Sequence, residues 1–335
     1  MTLLPIVDRY FKANLHTHSN ISDGTPSAQE MADLYRENGY QILCLTDHNV
    51  IVDHSDKNSE DFLMLTGVEI NVNDSDYTPS AGYTGQTYHL LMIAKEPDNL
   101  WQPIAPTARK NSQPYIPLIR HDTMRREYDI AAVNDMIARA NENGFLVAYC
   151  HPEWSGQRYP DYAGLKGLWG MELRNYGSVR MGMDRDNHLI YQDLLEIGNR
   201  LYPLGTDDAH SASSALGAWV MVGAESLTYT AVIKALETGN FYTSCGPQIH
   251  SLTLEEGKLR VTCSDAVSIC LFSECRFAKS VDAKPGQTLQ SAEFDITKWL
   301  ERSANDPNAF LRVTVYASDS TFAATRAYWM DELKG

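Results

Sequence analysis

The sequence lacks several features that would place it in well-known classes of protein. None of its 335 residues belongs to an apolar run of about 18 or more, so no segment is predicted to span a membrane. Residues 1–8 lack the basic region and the apolar stretch of a signal peptide. Basic residues are few, since 28 Lys and Arg face 43 Asp and Glu and give a net charge of −15. Such a surface repels polyanions, so a nucleic-acid polymer is not an expected partner.

Motifs for thiol chemistry and for a protein nucleophile are also missing. No CxxC pair occurs, which argues against a zinc finger or a thiol-redox site. No Gly-x-Ser-x-Gly elbow and no convincing Cys–His pair is present, so covalent catalysis is not expected. Reduced thiols in a cytoplasmic protein are the expectation for the six cysteines, which are Cys44, Cys150, Cys245, Cys263, Cys270 and Cys275.

Alternating strand and helix patterns run through the first two thirds of the chain. A capping box at Ser27 and Glu30 opens one predicted helix, and Gly39 closes it. The apolar run 41–46 has the composition of a buried parallel strand. Further strands are predicted at 10–15, 62–70, 88–94, 145–150, 169–173, 202–206 and 219–222, with helices at 130–143, 186–198 and 229–238. This alternation predicts an α/β fold with a parallel sheet or barrel, whose chemistry lies at the carboxyl ends of the strands.

The pattern changes after Pro247. Short strands predicted at 249–254, 258–263, 267–271 and 310–317 are separated by turn formers, and no helical pattern longer than two turns occurs. We therefore expect two domains, residues 1–246 and residues 247–335, the second a small antiparallel β-sandwich. No ligand cluster marks the second domain, and we expect it to brace the first.

Six histidines and three acids fall at or near the ends of the predicted strands. His16 and His18 are two residues apart on an extended segment, so their side chains point to the same side. Histidine and carboxylate ligands without cysteine suit two or three divalent ions such as Zn, Mn or Fe. The predicted metal ligands are His16, His18, Asp23, His48, Glu69, His89, His151, Asp208 and His210.

These residues resemble the motifs of the PHP family, the polymerase and histidinol phosphatase superfamily of metal-dependent phosphoesterases. The resemblance covers residues 9–246, and the motifs occur in the family's order. They are His16-Thr17-His18, Thr46-Asp47-His48, Glu69 with His89, Cys150-His151-Pro152, and residues 205–210. The resemblance implies a distorted barrel of seven βα units. Residues 239–247 are similar to the end of the barrel in a subgroup that carries a C-terminal β domain.

The resemblance also implies how the ligands are shared. His16, His18, Glu69 and Asp208 would hold one ion, and Glu69 would bridge to a second ion that His89 and His151 also bind. Asp23, His48 and His210 would hold a third ion. The family motif favours Asp208, although the adjacent Asp207 could replace it or orient a ligand. Asp47 is expected to be a supporting partner or cap rather than a ligand.

The expected reaction is hydrolysis of a small phosphate monoester or diester by a metal-bridged hydroxide. Glu69 and His210 are expected to take part in catalysis as well as in metal binding. Two alternatives remain open: a metal-dependent hydrolase of a carbamate, ester or amide, and a non-catalytic module that binds metal for folding. The expected partner is a small phosphorylated substrate, and the expected oligomeric state is a monomer or homodimer.

An arginine is expected to bind the anionic substrate. Arg120 is one first choice, because it lies in an irregular segment, 99–126, that is predicted to be a loop over the site. Arg174 is the other, because it lies at a strand end; Arg125, Arg126 and Arg180 are further candidates. Residues predicted to be ordinary polar groups are His54, His121, His188 and His250. Glu153, Glu172 and Asn175 lie near strand ends and are equally expected to be solvated or functional.

Overall fold

The computed structural model describes residues 1–4, 10–74, 85–183, 187–274 and 276–334. The first residue of the helix predicted at 186, the sixth cysteine, Cys275, and most of the polar loop between residues 70 and 88 lie outside these ranges. The other elements predicted from the sequence fall within them.

The elements alternate in the first part of the chain and are mainly strands in the last part. The strands are β1 (Thr2–Leu4), β2 (Phe11–Asn14), β3 (Ile42–Leu45), β4 (Leu63–Asn73), β5 (Thr87–Ala94), β6 (Trp101–Gln102), β7 (Arg120–His121), β8 (Phe145–Tyr149), β9 (Gly170–Asn175), β10 (Tyr202–Thr206), β11 (Trp219–Val222), β12 (Phe241–Ser244), β13 (Ile249–Glu255), β14 (Lys258–Ala266), β15 (Ser268–Ser273), β16 (Ala278–Asp282), β17 (Leu289–Asp295), β18 (Phe310–Tyr316), β19 (Phe322–Ala324) and β20 (Tyr328–Trp329). The helices are α1 (Ala28–Glu37), α2 (Ile130–Glu142), α3 (Tyr159–Tyr162), α4 (Tyr176–Arg180), α5 (His188–Glu196), α6 (Tyr229–Glu237), α7 (Thr297–Ser303) and α8 (Met330–Leu333). The α/β class predicted from the sequence is confirmed.

Local sequence signals account for the main helix boundaries. The Ser27 hydroxyl accepts a hydrogen bond from the Glu30 amide, and the Glu30 carboxylate accepts one from the Ser27 amide, so the predicted capping box is present. The Asp129 carboxylate accepts hydrogen bonds from the first amides of α2. Gly39, with a φ of 78°, follows α1, where a residue with a side chain would be strained.

Seven strands form a continuous path in the order β10-β9-β8-β5-β4-β3-β2. After β2 and β10, Thr17 and Ala209 form a parallel bridge, and the His18 amide donates to the Ala209 carbonyl at 3.0 Å. The path therefore closes on itself, and we call these seven strands the strand ring. Two pairings differ from the parallel arrangement expected from sequence, because β5 runs antiparallel to both β4 and β8. The amino-terminal end of β5 consequently lies beside the carboxyl ends of its neighbours.

Hydrogen bonding continues from β2 through β11, β12, β19, β18, β15 and β16, so the last third of the chain extends the same sheet. A second sheet has the order β1-β13-β14-β17. Apolar side chains from both, including Leu252, Val261, Ile269 and Val313, pack in one buried cluster. The alternating burial along β14 explains why its sequence alternates. The division at residue 246 stays a prediction, since β1 pairs with β13 across it.

The segment 99–126 contains only the short β6–β7 pair and one turn of 3-10 helix. Some of its contacts are with loops that follow ring strands: the Thr107 amide donates to the Asn49 carbonyl, and the Arg109 guanidinium donates to the Ser22 carbonyl. Among the helices of the described ranges, none is long and apolar enough to cross a bilayer.

Candidate metal centre

The nine predicted metal ligands lie together at the end of the strand ring where the parallel strands terminate. Most lie in the loops that follow a strand, whereas Glu69 is within β4 and His89 is near the start of β5. The antiparallel direction of β5 is what brings His89 to this end, and a parallel strand would have carried it away. Four of the positions are fully buried: His16, His18, Glu69 and, at 2% exposure, His151.

The innermost group comprises His16, His18, Glu69 and Asp208, whose ligand atoms all lie within 4.8 Å of one another. His18 Nε2 is 2.9 Å from Asp208 Oδ1 and 3.2 Å from Glu69 Oε2. His16 Nε2 is 3.2 Å from the same glutamate oxygen. This is the set that the family resemblance assigned to one ion.

The second oxygen of Glu69 faces two further histidines. His89 Nδ1 lies 2.6 Å from Glu69 Oε1, and His151 Nε2 lies 3.2 Å from it. His48 also approaches this carboxylate, with Nδ1 at 3.0 Å from Oε2. The two oxygens of Glu69 thus face different imidazoles, which is the arrangement that a bridging carboxylate needs.

An outer group contains His18, Asp23, His48 and His210, again with ligand atoms within 4.8 Å of one another. Asp23 contacts His210 Nε2 at 3.4 Å and His48 Nε2 at 3.6 Å. The His210 and Asp23 side chains are 40% and 37% exposed, so this group faces solvent more than the innermost one.

Several ligand atoms of the site are buried without a hydrogen-bond partner, and a cation would satisfy them. Glu69 Oε2 is buried and has no hydrogen bond, although nitrogens of His16, His18 and His48 lie within 3.2 Å of it. Asp208 Oδ1 and His18 Nδ1 are buried without a hydrogen bond as well. Buried polar atoms that stay unpaired are costly, and a shared divalent ion satisfies several of them at once.

The electrostatics lead to the same conclusion. Burial alone would lower the pKa of His18, but its contacts with Asp208 and Glu69 outweigh burial and raise that pKa to about 10. Burial would raise the pKa of Glu69, yet His48, His16 and His89 hold it well below the usual range. The buried carboxylates Glu69 and Asp208 are therefore held in their ionised forms, and divalent cations would balance their charge.

Two of these positions have unusual backbone conformations. His151 has a φ of 25° and Asp208 a φ of 50°, in the region that residues with side chains rarely adopt. The hydrogen bond from the Asp208 amide to the His16 carbonyl, at 2.9 Å, holds the second of these bends in place. Strain of this kind is typical of functional sites, where it directs a side chain inwards.

Glu172 is a supporting residue of the site, a role that the sequence left open between a solvated and a functional position. It is fully buried in β9, and its Oε1 accepts a hydrogen bond from His16 Nδ1 at 2.6 Å. Its other oxygen accepts from the His151 amide at 2.9 Å and from the Asn175 amide side chain. Glu172 therefore fixes the ring of His16 with Nε2 facing the cluster. A glutamate inside the apolar stretch Gly170-Met171-Glu172-Leu173 was the available signal.

Asp207 and Asp208, which sequence alone left as alternatives, face different surroundings. Asp207 accepts hydrogen bonds from the Leu216, Gly217 and Ala218 amides and from the Tyr35 hydroxyl. Burial raises the pKa of Asp207 to about 6 despite these bonds. Its role is to order the loop after β10, and Asp208 is the one that faces the histidines.

Asp47 has a comparable supporting role, as expected. Its carboxylate accepts hydrogen bonds from the amides and hydroxyls of Ser19 and Ser22. These four bonds shape the loop that leads from His18 to Asp23.

A cavity of about 490 Å³ opens onto the cluster. The residues that line it beside the predicted ligands are Trp154, Gly177, Ser178, Arg180, Met181, Ser213 and Ser214. Its volume is in the range of small-molecule sites.

The two arginines preferred from sequence are placed elsewhere. Arg120 is exposed in β7 and donates to Asn99, because the segment 99–126 packs beside the strand-end loops and does not line the cavity. Arg174 lines a different cavity with Asp319 and Thr321 from the loop before β19. Arg180, at the end of α4, is the arginine that lines the cavity above the cluster.

The four histidines predicted to be ordinary polar residues, His54, His121, His188 and His250, lie outside the clusters found among the described residues.

Comparisons with known proteins agree with the site. Residues 14–150 match the family model described as the PHP domain. No curated protein matches the chain.

Several solved structures are similar over long stretches. A two-domain protein from Bacteroides vulgatus, described as containing a predicted PHP-like metal-dependent phosphoesterase, is 15% identical, with 98% of each chain covered and a TM-score of 0.47. A putative metal-dependent phosphoesterase from Bifidobacterium adolescentis is 14% identical over 59% of this chain and 87% of its own, with a TM-score of 0.37. A lesion-specific endonuclease from Pyrococcus furiosus is 12% identical over 68% and 56%, with a TM-score of 0.43.

Proposed function

We propose that this chain hydrolyses phosphate esters of small molecules, since residues 14–150 match the model of the PHP domain, which is a domain of metal-dependent hydrolases. The observation that carries the proposal is the cavity in which Arg180 and the cluster around Glu69 and Asp208 line the same space. A guanidinium and a cation site facing one small cavity suit a phosphate group.

The innermost group would hold one ion, with Glu69 extending to a second ion bound with His89 and His151. The outer group of Asp23, His48 and His210 would hold a third. Bound Zn, Mn or Fe would supply Lewis acidity, lowering the pKa of bound water and neutralising the phosphate oxygens. The overall reaction adds the oxygen of water to phosphorus, breaks the ester P–O bond and releases the alcohol with a proton.

The protein's own groups hold the reacting parts in place. Arg180 would bind non-bridging phosphate oxygens, and Glu172 keeps His16 oriented through the 2.6 Å contact. His210 Nδ1 lies 3.0 Å from the Asp208 carbonyl, which favours a proton on Nδ1 and leaves the Nε2 lone pair beside Asp23. This tautomer favours metal binding by His210, and its part in catalysis remains a prediction.

Two alternatives remain to be separated from this proposal by experiment. Hydrolysis of a carbamate, ester or amide would use the same cluster on a carbonyl carbon. A non-catalytic metal module would need ligand groups closed off from solvent. The cavity that reaches Glu69, Asp208 and the 40% exposed His210 supports an enzyme over the latter.

The test combines metal content with turnover in one preparation. We expect two or three divalent ions per chain and hydrolysis of 4-nitrophenyl phosphate, with no turnover of a 4-nitrophenyl carbamate. Complete chelation should abolish turnover and lower the melting temperature, because the ions stabilise only the folded state. Carbamate turnover without phosphate turnover would support the first alternative, and full metal content without any turnover the second.

We extend the proposal to the fold of the two parts of the chain, its location and its partner. The closed strand ring supports a distorted βα barrel, and the two C-terminal sheets around one apolar cluster support a β-sandwich. We also propose a cytoplasmic location, in keeping with the reduced thiols expected from the sequence. The partner is proposed to be a small phosphorylated molecule, and the chain a monomer or homodimer.

A further inference from the structure

We propose that the cavity selects phosphate esters whose alcohol carries an apolar ring, and that Trp154 and Met181 bind this ring. The inference rests on the proposed function and adds to it a class of leaving group. It is drawn from the residues that line the cavity beside the metal cluster, which we call the cavity wall. The wall consists of Trp154, Ser178, Arg180, Met181, Ser213 and Ser214.

Trp154 is held beside the reacting end of the cavity. Its ring centroid is 4.9 Å from that of His151 and 5.6 Å from that of His89, with interplanar angles of 79° and 61°. The turn that carries it is fixed, because the Ser155 amide donates to the His151 carbonyl at 3.0 Å. The indole is only partly buried although it lines the cavity. A ring bound against it would therefore lie next to a phosphate at the cluster.

Met181 provides a second apolar surface. Its side chain is 68% exposed, which makes it one of the most exposed large apolar residues among those described. Its backbone is fixed in the turn after α4 by hydrogen bonds from its amide to the Gly177 and Ser178 carbonyls. An unbranched thioether adapts to the shape of an apolar ligand, and exposing it at the mouth of a cavity is typical of a binding surface.

The wall has few polar side chains, and some of them already have hydrogen-bond partners within the protein. The Ser214 hydroxyl donates to the Ser211 carbonyl and accepts from the His210 amide, and the Ser213 hydroxyl is paired with that of Ser211. Within the described lining, Arg180 and Ser178 are the remaining polar side chains apart from the proposed metal ligands and the indole N–H. A sugar would have to bury several hydroxyls with few partners, which costs free energy for each one. An apolar ring carries no such cost.

The test compares two substrates with leaving alcohols of similar acidity, benzyl phosphate and glycerol 1-phosphate. We expect the metal-loaded protein to have a kcat/KM at least about tenfold higher for benzyl phosphate, the size of one aromatic contact. Trp154→Ala should lower the ratio of the two kcat/KM values about tenfold, and Met181→Ala about threefold. Tyr159→Ala is the matched control, because Tyr159 is 51% exposed close to Trp154 in sequence but does not line the cavity.

A binding measurement separates failure of this inference from failure of the proposed function. Calorimetry with benzylphosphonate and methylphosphonate should show preference for the benzyl compound, and Trp154→Ala should remove that preference. If both substrates are hydrolysed equally well and both phosphonates bind equally, the ring site is wrong and the phosphoesterase stands. If no phosphate ester is hydrolysed but the benzyl preference depends on Trp154, the ring site stands and the phosphoesterase is wrong. Should Trp154→Ala fail to fold, the exposed Met181→Ala decides.

Discussion

Two regions of this protein bury histidines, and the charges around them are of opposite sign. At the candidate metal centre, the carboxylates of Asp208 and Glu69 overcome burial and raise the pKa of His18 to about 10. Where α5 packs against the C-terminal strands, burial and the charge of Arg312 lower the pKa of His188 to about 3. One buried imidazole thus lies in a negative field and the other in a positive one.

The difference separates a ligand from a packing residue. A buried histidine in a negative field is stabilised by a positive charge, which either a proton or a metal ion can provide. His188 is stabilised as the neutral form, and its ring packs on Phe322 with centroids 4.9 Å apart. The comparison holds for this pair of residues, whereas the predicted ligand His48, whose pKa burial lowers to about 3, shows that a low pKa does not by itself exclude a ligand.

The largest expected effect on activity is that of a substitution at Glu69, the carboxylate that most of the imidazoles face. Glu69→Gln should lower kcat by about a thousandfold or more, because it removes charge that would hold two ions, worth several kcal/mol. Metal content should fall in the same sample. Glu60→Gln, at an exposed position just before β4, is the matched control and should leave both values unchanged. If Glu69→Gln kept its full metal content, the carboxylate charge around His18 would not be what binds the ions.

A smaller loss is expected when the support of a ligand is changed. Glu172→Gln should reduce metal affinity and activity by about 10- to 100-fold, since it weakens the hydrogen bond that orients His16. Glu153→Gln, at a neighbouring strand end outside the clusters of the described residues, should have no comparable effect. Metal titration and kinetics measure both variants. Equal losses in the two would show that Glu172 has no special relation to His16.

The histidine in the positive field should show itself in the pH dependence of stability. Between pH 6.5 and about 3, the unfolded chain takes up a proton at His188 that the folded chain does not, so stability falls as pH falls. His188→Phe should remove this loss, making the variant more stable than the parent at pH 5 by about 2 kcal/mol, relative to their difference at pH 8.

Urea unfolding at the two pH values measures this effect. His250→Phe is the control, because His250 is exposed on β13. If His188→Phe and the parent lose the same stability between pH 8 and pH 5, burial and the nearby positive charge do not keep His188 neutral in the folded protein.

The nine residues predicted as ligands lie together in the structure, as expected where strand ends converge, and their binding of metal stays a prediction. His16 and His151 directly follow strands whose apolar runs were recognisable, and β10 has the predicted bounds, Tyr202–Thr206. His89 was placed correctly for the wrong structural reason: its strand is antiparallel, and it lies at the start of it. Strand direction depends on pairing partners, which apolar patterns do not encode.

The supporting and substrate-facing residues were not predictable in the same way. The role of Glu172 stayed open because a carboxylate is usually solvated, and only its buried partners reveal what it does. Arg180 lines the cavity in place of Arg120 because the path of the segment 99–126 is decided by contacts to loops distant in sequence, such as that of Thr107 with Asn49. The approach of such loops is a tertiary property.

The smallest expected effect on activity is that of a substitution in the outer, more exposed group of the metal centre. Asp23, with 37% side-chain exposure, belongs only to the outer group, whereas Glu69 and Asp208 are shared by the inner contacts. Asp23→Asn should therefore remove one ion per chain and lower activity about tenfold, the low end of effects on metal sites. Asp33→Asn, on the exposed face of α1 with 46% side-chain exposure, is the control. Loss of every ion in Asp23→Asn would mean that the outer and inner groups bind metal as a single unit, because the shared His18 would then couple them.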